Sequence, residues 1–239
     1  MDFKKQFILN FVEDSRWKYL TNGLKNTLII TIFALLIGIV IGIIVSMIRS
    51  TFDKTAEDVK KKNIVAYIFF WTVNALCKVY LTVIRGTPVV VQLMIAYFII
   101  FVSSNNGIMV AAIAFGINSG AYVAEILRGG IMSIDQGQFE ASRSLGFNYI
   151  QTMAYVIIPQ VFKTVLPTLL NEFIALIKET SIAGYVGIMD LTKGGDIIRG
   201  RTFSAYMPLF AVAIIYLVIV MFLTYVVGKV ERRLRKNER

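Results

Sequence analysis

The sequence predicts an all-α integral membrane protein of about five transmembrane helices, and three observations carry that prediction. The chain of 239 residues is 56% hydrophobic and only 17% charged, whereas a soluble domain carries about a quarter charged residues. Its mean hydropathy is +0.68. The apolar residues fall in long uncharged runs: there is no charge between Lys25 and Arg49, none from Gly86 to Ala124, and none from Thr202 to Gly228. A spanning helix needs ~20 mostly apolar residues, and each run is long enough. Lys and Arg gather just outside the runs, where anionic headgroups meet them.

Taken in order, residues 1–20 read as an amphipathic lead-in. Phe3, Phe7 and Phe11 repeat at helical spacing among Lys4, Lys5, Asp14 and Arg16, a pattern that suits a helix lying in the interface. The rest of the chain, 21–239, reads as a single transmembrane domain. Its first span covers about 21–48, and the charged stretch Asp53 to Lys62 reads as a solvated loop. The uncharged stretch from Pro88 to Val102 is too short to cross alone, since 1.5 Å per residue gives roughly 22 Å against ~30 Å of hydrocarbon. Residues 64–102 therefore read as one long element broken at Pro88, partly interfacial and then spanning, with two crossings as the alternative. Ser103 to Gly107 is a turn by composition. Further spans follow at about 108–127, 160–184 and 204–228, with a loop at 131–159 that carries a small helix. The tail 229–239 holds six basic and two acidic residues, which places it in the cytoplasm. Five spans then put the N-terminus outside, whereas the basic residues near it favour six.

Composition also excludes functions. There is no histidine and only one cysteine, so neither His-based catalysis nor a Cys/His metal site is available. The net charge of +10 belongs to the lipid interface rather than to nucleic acid. No G-x-x-x-x-G-K-[ST] occurs, so the chain has no phosphate-cradling P-loop. It reads as neither an enzyme nor the holder of a cofactor. The first apolar run is longer than that of a signal peptide, so no cleaved signal is expected.

The most specific pattern lies in the 131–159 loop: Glu140-Ala141-Ser142, three residues, Gly146, nine residues, then Val156-Ile157-Ile158-Pro159. In physical terms, Gly146 permits a left-handed backbone after a short helix, and Leu145 and Phe147 offer apolar teeth to a partner's groove. An amphipathic connector is the plainer alternative. The spacing resembles the EAA motif of membrane subunits of type I ABC importers. Three further segments resemble the polar amino acid permeases that serve histidine, arginine, glutamine and cystine: Arg85-Gly86-Thr87-Pro88 with Gln92, Ala121 to Ile131, and Asn171-Glu172-Phe173-Ile174. The resemblance covers about 85–235. It implies a type I importer permease fold in a bacterial inner membrane, with Glu140, Ala141, Ser142, Leu145, Gly146 and Phe147 on a cytoplasmic coupling helix. It further implies two separate P-loop ATPase subunits that bind ATP and magnesium. A second permease half, the same chain or a close relative, and an extracytoplasmic amino-acid-binding protein complete the expected assembly, surrounded by membrane lipid.

Polar groups within spans are the substrate candidates, because lipid makes them costly. Asn118, Tyr122 and Glu125 share one helical face beside Ser119. Glu172 lies on the next span with Asn171 and Glu179. A cavity between the two helices could hold an amino acid's ammonium on a carboxylate and its carboxylate on amides. The resemblance adds Gln92 and supports Asn118 and Glu172, for which an interhelical hydrogen bond is the structural alternative. For Glu125 an ion pair with Arg128 is the favoured reading. An ion-coupled secondary transporter and a non-transporting assembly subunit remain as rivals. The first usually shows internal repeats in a longer chain, which this sequence lacks.

Overall fold

The charge-free runs become helices, and the helices outrun them. The computed structural model describes residues 3–236, and every regular element among these is helical. The α-helices, in chain order and linked in places by tighter or wider helical turns, are α1 (Phe3–Phe7), α2 (Trp17–Lys62), α3 (Ile64–Gly86), α4 (Val89–Ile95), α5 (Gly107–Met132), α6 (Gln136–Ser144), α7 (Tyr149–Thr152), α8 (Ile158–Glu179), α9 (Leu191–Thr202) and α10 (Tyr206–Lys236). Among the described residues, five helical stretches are long and apolar enough to cross a membrane: Trp17–Lys62, Ile64–Gly86, Gly107–Met132, Tyr149–Val186 and Tyr206–Leu234. The end of the basic tail, 237–239, and residues 1–2 of the lead-in lie outside the described residues.

Two sequence expectations need correction. The charged stretch Asp53 to Lys62 is not a loop: it continues α2, a single helix of 46 residues. At 1.5 Å per residue α2 is ~69 Å long, more than twice the hydrocarbon thickness. The reason is local. No glycine or proline occurs between Gly42 and Gly86, and Lys54/Asp58, Glu57/Lys61 and Asp58/Lys62 sit at the i,i+4 spacing that supports an exposed helix. Asn63 then leaves helical geometry (φ −153°, ψ 109°), and its side chain accepts from Val65 and Ala66 N–H to cap α3. The second correction concerns 64–102. The break at Thr87-Pro88 is present, because proline disfavours helix at the residue before it. However, the membrane-length piece is α3, ahead of the break, whereas Val89–Ile100 is a shorter apolar helix.

The lead-in is helical over 3–12 and ends at Asp14 and Ser15, both with positive φ. It is anchored as well as amphipathic. The fully buried Asn10 donates to Gln6 O and Ser204 Oγ and accepts from Thr202 Oγ1 at 2.8 Å.

The chain divides into two compact units. One contains the residues up to Leu36, Pro88–Gly116 and Phe173–Lys229. Its main core joins Ile30, Leu93, Phe115 and Leu176, and a second cluster packs α9 through Leu191 and Ile198 against Leu20 and Val212. The other contains Ile37–Thr87, Ile117–Glu172 and the residues from Val230. There α2 and α5 run side by side in the same direction, since Gly38 meets Ser119 and Gly42 meets Val123. A Cβ on Gly42 would lie 2.4 Å from Val123 Cγ1. The pair Gly38/Gly42 is a small-xxx-small contact of the kind that lets membrane helices approach closely.

Candidate functional site

The 131–159 loop is built from its caps inward. Asp135, in extended geometry, accepts from Gly137 N–H at 2.6 Å and starts α6. Phe139 on its inner face is buried with Ile131, Ile157, Val161 and Val165. At the other end Gly146 N–H reaches Arg143 O and Phe147 N–H reaches Ser142 O, while Gly146 takes φ +87°. This is a Schellman termination, which calls for a left-handed residue at that position. Asn148 and Gln151 form a reciprocal capping box that starts α7. Both ends of the nine-residue helix are therefore locked.

The motif residues sort by face. Glu140, Ala141 and Gly146 are exposed, Leu145 is 78% exposed, and Phe147 is on the surface beside Tyr155. Ser142 faces inward instead, with its hydroxyl on Gln138 O at 2.6 Å. Glu140 lies in the middle of the helix, not at its start. The sequence reading missed what stands behind α6. Lys54, on the α2 extension, donates to Gln136 Oε1 at 2.8 Å and lies 4.5 Å from the Phe139 ring centre. A run read as loop gave no sign of it.

Among the polar residues within spans, the structure brings Ser119 and Glu172 together. Ser119 Oγ, fully buried on α5, donates to Glu172 Oε1 on α8 at 3.1 Å. Asn118 is buried beside it in sequence, whereas Tyr122 is 38% exposed. Gln92 lies half-buried on α4, in the other compact unit. Glu125 pairs with Arg128 at 3.5 Å, as its spacing predicts, and also with Arg85 at 3.4 Å. Arg128 in turn reaches Asp53 at 3.4 Å. The Arg85 and Asp53 partners are tertiary contacts that helical spacing does not reveal.

Five membrane-length helices, a capped surface helix between two of them and a half-buried serine–carboxylate contact define a multi-pass membrane permease. Comparison with known proteins agrees. The family described as the binding-protein-dependent transport system inner membrane component matches residues 64–236, and the chain belongs to it. The glutamine transport system permease protein GlnP of Escherichia coli is 39% identical over 169 residues, covering 69% of this chain and 77% of that protein. The arginine transport system permease protein ArtQ of Bacillus subtilis is 39% identical over 162 residues, covering 66% and 74%. A crystal structure of an amino acid ABC transporter with histidines matches with a TM-score of 0.77 and 35% identity, covering 93% of this chain and 98% of that one.

Proposed function

We propose that this chain forms half of the translocation pathway of a polar amino acid importer and converts the movement of separate ATPase subunits into a change of access. The single observation that carries the reading is α6, a short helix capped at both ends, with Glu140, Ala141, Leu145 and Phe147 on its exposed side. Two P-loop ATPases, binding ATP and magnesium, would dock there, with Leu145 and Phe147 as the apolar contacts. Closure of the ATPases would push on α6, and α5 and α8 would carry the push into the membrane. A second copy or a close relative completes the pathway. A binding protein on the outer face delivers the substrate.

Asn118, Ser119, Tyr122, Glu172 and Gln92 are the substrate-facing candidates. The Ser119–Glu172 contact supports Glu172 as the counter-charge for an ammonium group, since it keeps one carboxylate oxygen oriented. The chain lies in the inner membrane. The basic C-terminal tail favours a cytoplasmic C-terminus, and an odd number of spans then puts the N-terminus outside.

The test is co-purification from detergent, followed by reconstitution with the recovered ATPase and binding protein. ATP-dependent uptake of glutamine, arginine or histidine is the expected result. Failure of any P-loop ATPase to accompany the chain overturns the reading.

A further inference from the structure

The charged continuation of α2 has no place in the reading so far. Beyond Arg49 it runs on to Lys62, ~20 Å past the last charge-free residue, and it precedes the residues matched by the family, 64–236. Its contacts are ordered by face. On one face Phe52 packs on Tyr67 and Phe70 of α3, with ring centres 6.3 and 5.1 Å away. Lys60 lies over the Tyr67 ring at 5.6 Å. On the other face Thr51, Asp53 and Lys54 tie three separate parts of the 128–152 region. Asp53 holds Arg128, at the end of α5, at 3.4 Å. Lys54 holds Gln136, in the first turn of α6, at 2.8 Å and covers Phe139. Thr51 accepts from the Tyr149 hydroxyl, at the start of α7, at 3.4 Å. Between these ties lies a cleft of about 100 Å³ lined by Lys54, Asp58, Glu140 and Arg143.

We propose that the α2 extension is a strut that positions the coupling helix, and that Lys54 is its chief positioning residue. The proposal rests on the coupling role of α6. A helix held only by its linkers and one buried phenylalanine, Phe139, can pivot about that side chain under load. With Lys54 bonded to its first turn and stacked on its buried phenylalanine, a push on α6 is delivered to α2 as well as to α5 and α8. The α2 backbone has no proline or glycine beyond Gly42 at which to absorb the movement, so the displacement reaches the α2–α5 contact at Gly42 and Val123. Lys54 acts through α6, and its loss should reduce the uptake obtained per ATP rather than the hydrolysis itself.

The experiment compares Lys54→Met, Lys54→Arg and wild type in the full transporter, reconstituted with its ATPase and binding protein, measuring substrate uptake and ATP hydrolysis in the same vesicles. Lys54→Met should lower uptake per ATP by at least about 5-fold, the low end of typical coupling between sites, while the ATPase stays bound. Lys54→Arg, which keeps the charge and the donor, should recover most of it. Unchanged uptake per ATP in Lys54→Met overturns the strut. So does loss of the ATPase from the complex, which would make Lys54 a docking residue instead. Absence of ATP-driven uptake in wild type would instead count against the coupling reading itself, so the two failures are distinguishable.

Discussion

The chain contains two short polar helices between long apolar ones, α6 and α9, and they are built alike at one end and oppositely everywhere else. Each starts at an aspartate that accepts a backbone N–H: Asp135 from Gly137 and Asp190 from Lys193 at 2.7 Å. Asp135 is exposed, whereas Asp190 is fully buried. The α6 helix shows most of its surface and is held by caps and by Lys54. The α9 helix is pressed into its unit from several sides. Leu191 N–H donates to Thr27 Oγ1, Asn26 donates to Met189 O, and Gly194 lies against the Tyr19 carbonyl. The difference separates a helix that can be reached by a partner from one that fixes the start of α2 to the end of α8. Exposure with locked ends suits transmission of force, and burial with backbone contacts suits anchorage.

The largest effect should come from the anchored helix. A Cβ on Gly194 would sit 2.5 Å from Tyr19 O, a backbone atom with little room to move. Gly194→Leu should therefore cost about 3 kcal/mol or more, the upper range of overpacking, seen as loss of folded protein in detergent. If that variant melts with wild type, α9 is not an anchor. Next comes Gly146→Val. Its φ of +87° is costly for a branched side chain, but nothing stands within 4 Å of the position. Membrane insertion and yield should hold while ATP-driven uptake is lost. Normal uptake would remove the 135–147 loop from the coupling role.

The two aspartates give a finer contrast. Burial pushes Asp190 up from its ordinary 3.8 to about 6, against the pull of the Lys193 and Thr192 backbone N–H groups and the Lys193 charge. Its second oxygen is buried without a partner among the described residues. Because the folded state holds this proton more tightly than the unfolded state, stability is greatest at the acid end, falls as pH rises from about 4 to about 6, and levels off above. Asp190→Asn should flatten that slope in a thermal scan, and a slope equal to wild type would place the titration elsewhere. The smallest effect belongs to Asp135→Ala. Loss of an exposed N-cap should cost about 1 kcal/mol, read as faster amide exchange in α6 with no change in the melting of the rest.

Legibility in the sequence followed how local each feature is. The turn at Gly146 and the exposed pair Leu145 and Phe147 could be read because they are properties of neighbouring residues. Glu125–Arg128 was readable for the same reason, at one helical turn. Glu125–Arg85 and Lys54–Gln136 were not, because each joins segments separated by tens of residues, and of Ser119–Glu172 only the facing of the two helices was readable, not the pair itself. The α2 extension was misread because a dense run of charge signals solvent exposure, which is compatible with either a loop or a solvated helix. The α9 anchor left only its glycines as a sign, and glycines at polar positions read first as turns.

By itself, the sequence determined that the chain lives in a membrane, roughly where it crosses, and which loop carries a short exposed helix. Those follow from the cost of charge in hydrocarbon and from backbone rules that act over a few residues. Only the tertiary structure decided what supports that loop and which polar groups meet. Those depend on how helices pack, and packing is set by glycine contacts such as Gly42 on Val123 and Gly194 on Tyr19, whose partners no local pattern names.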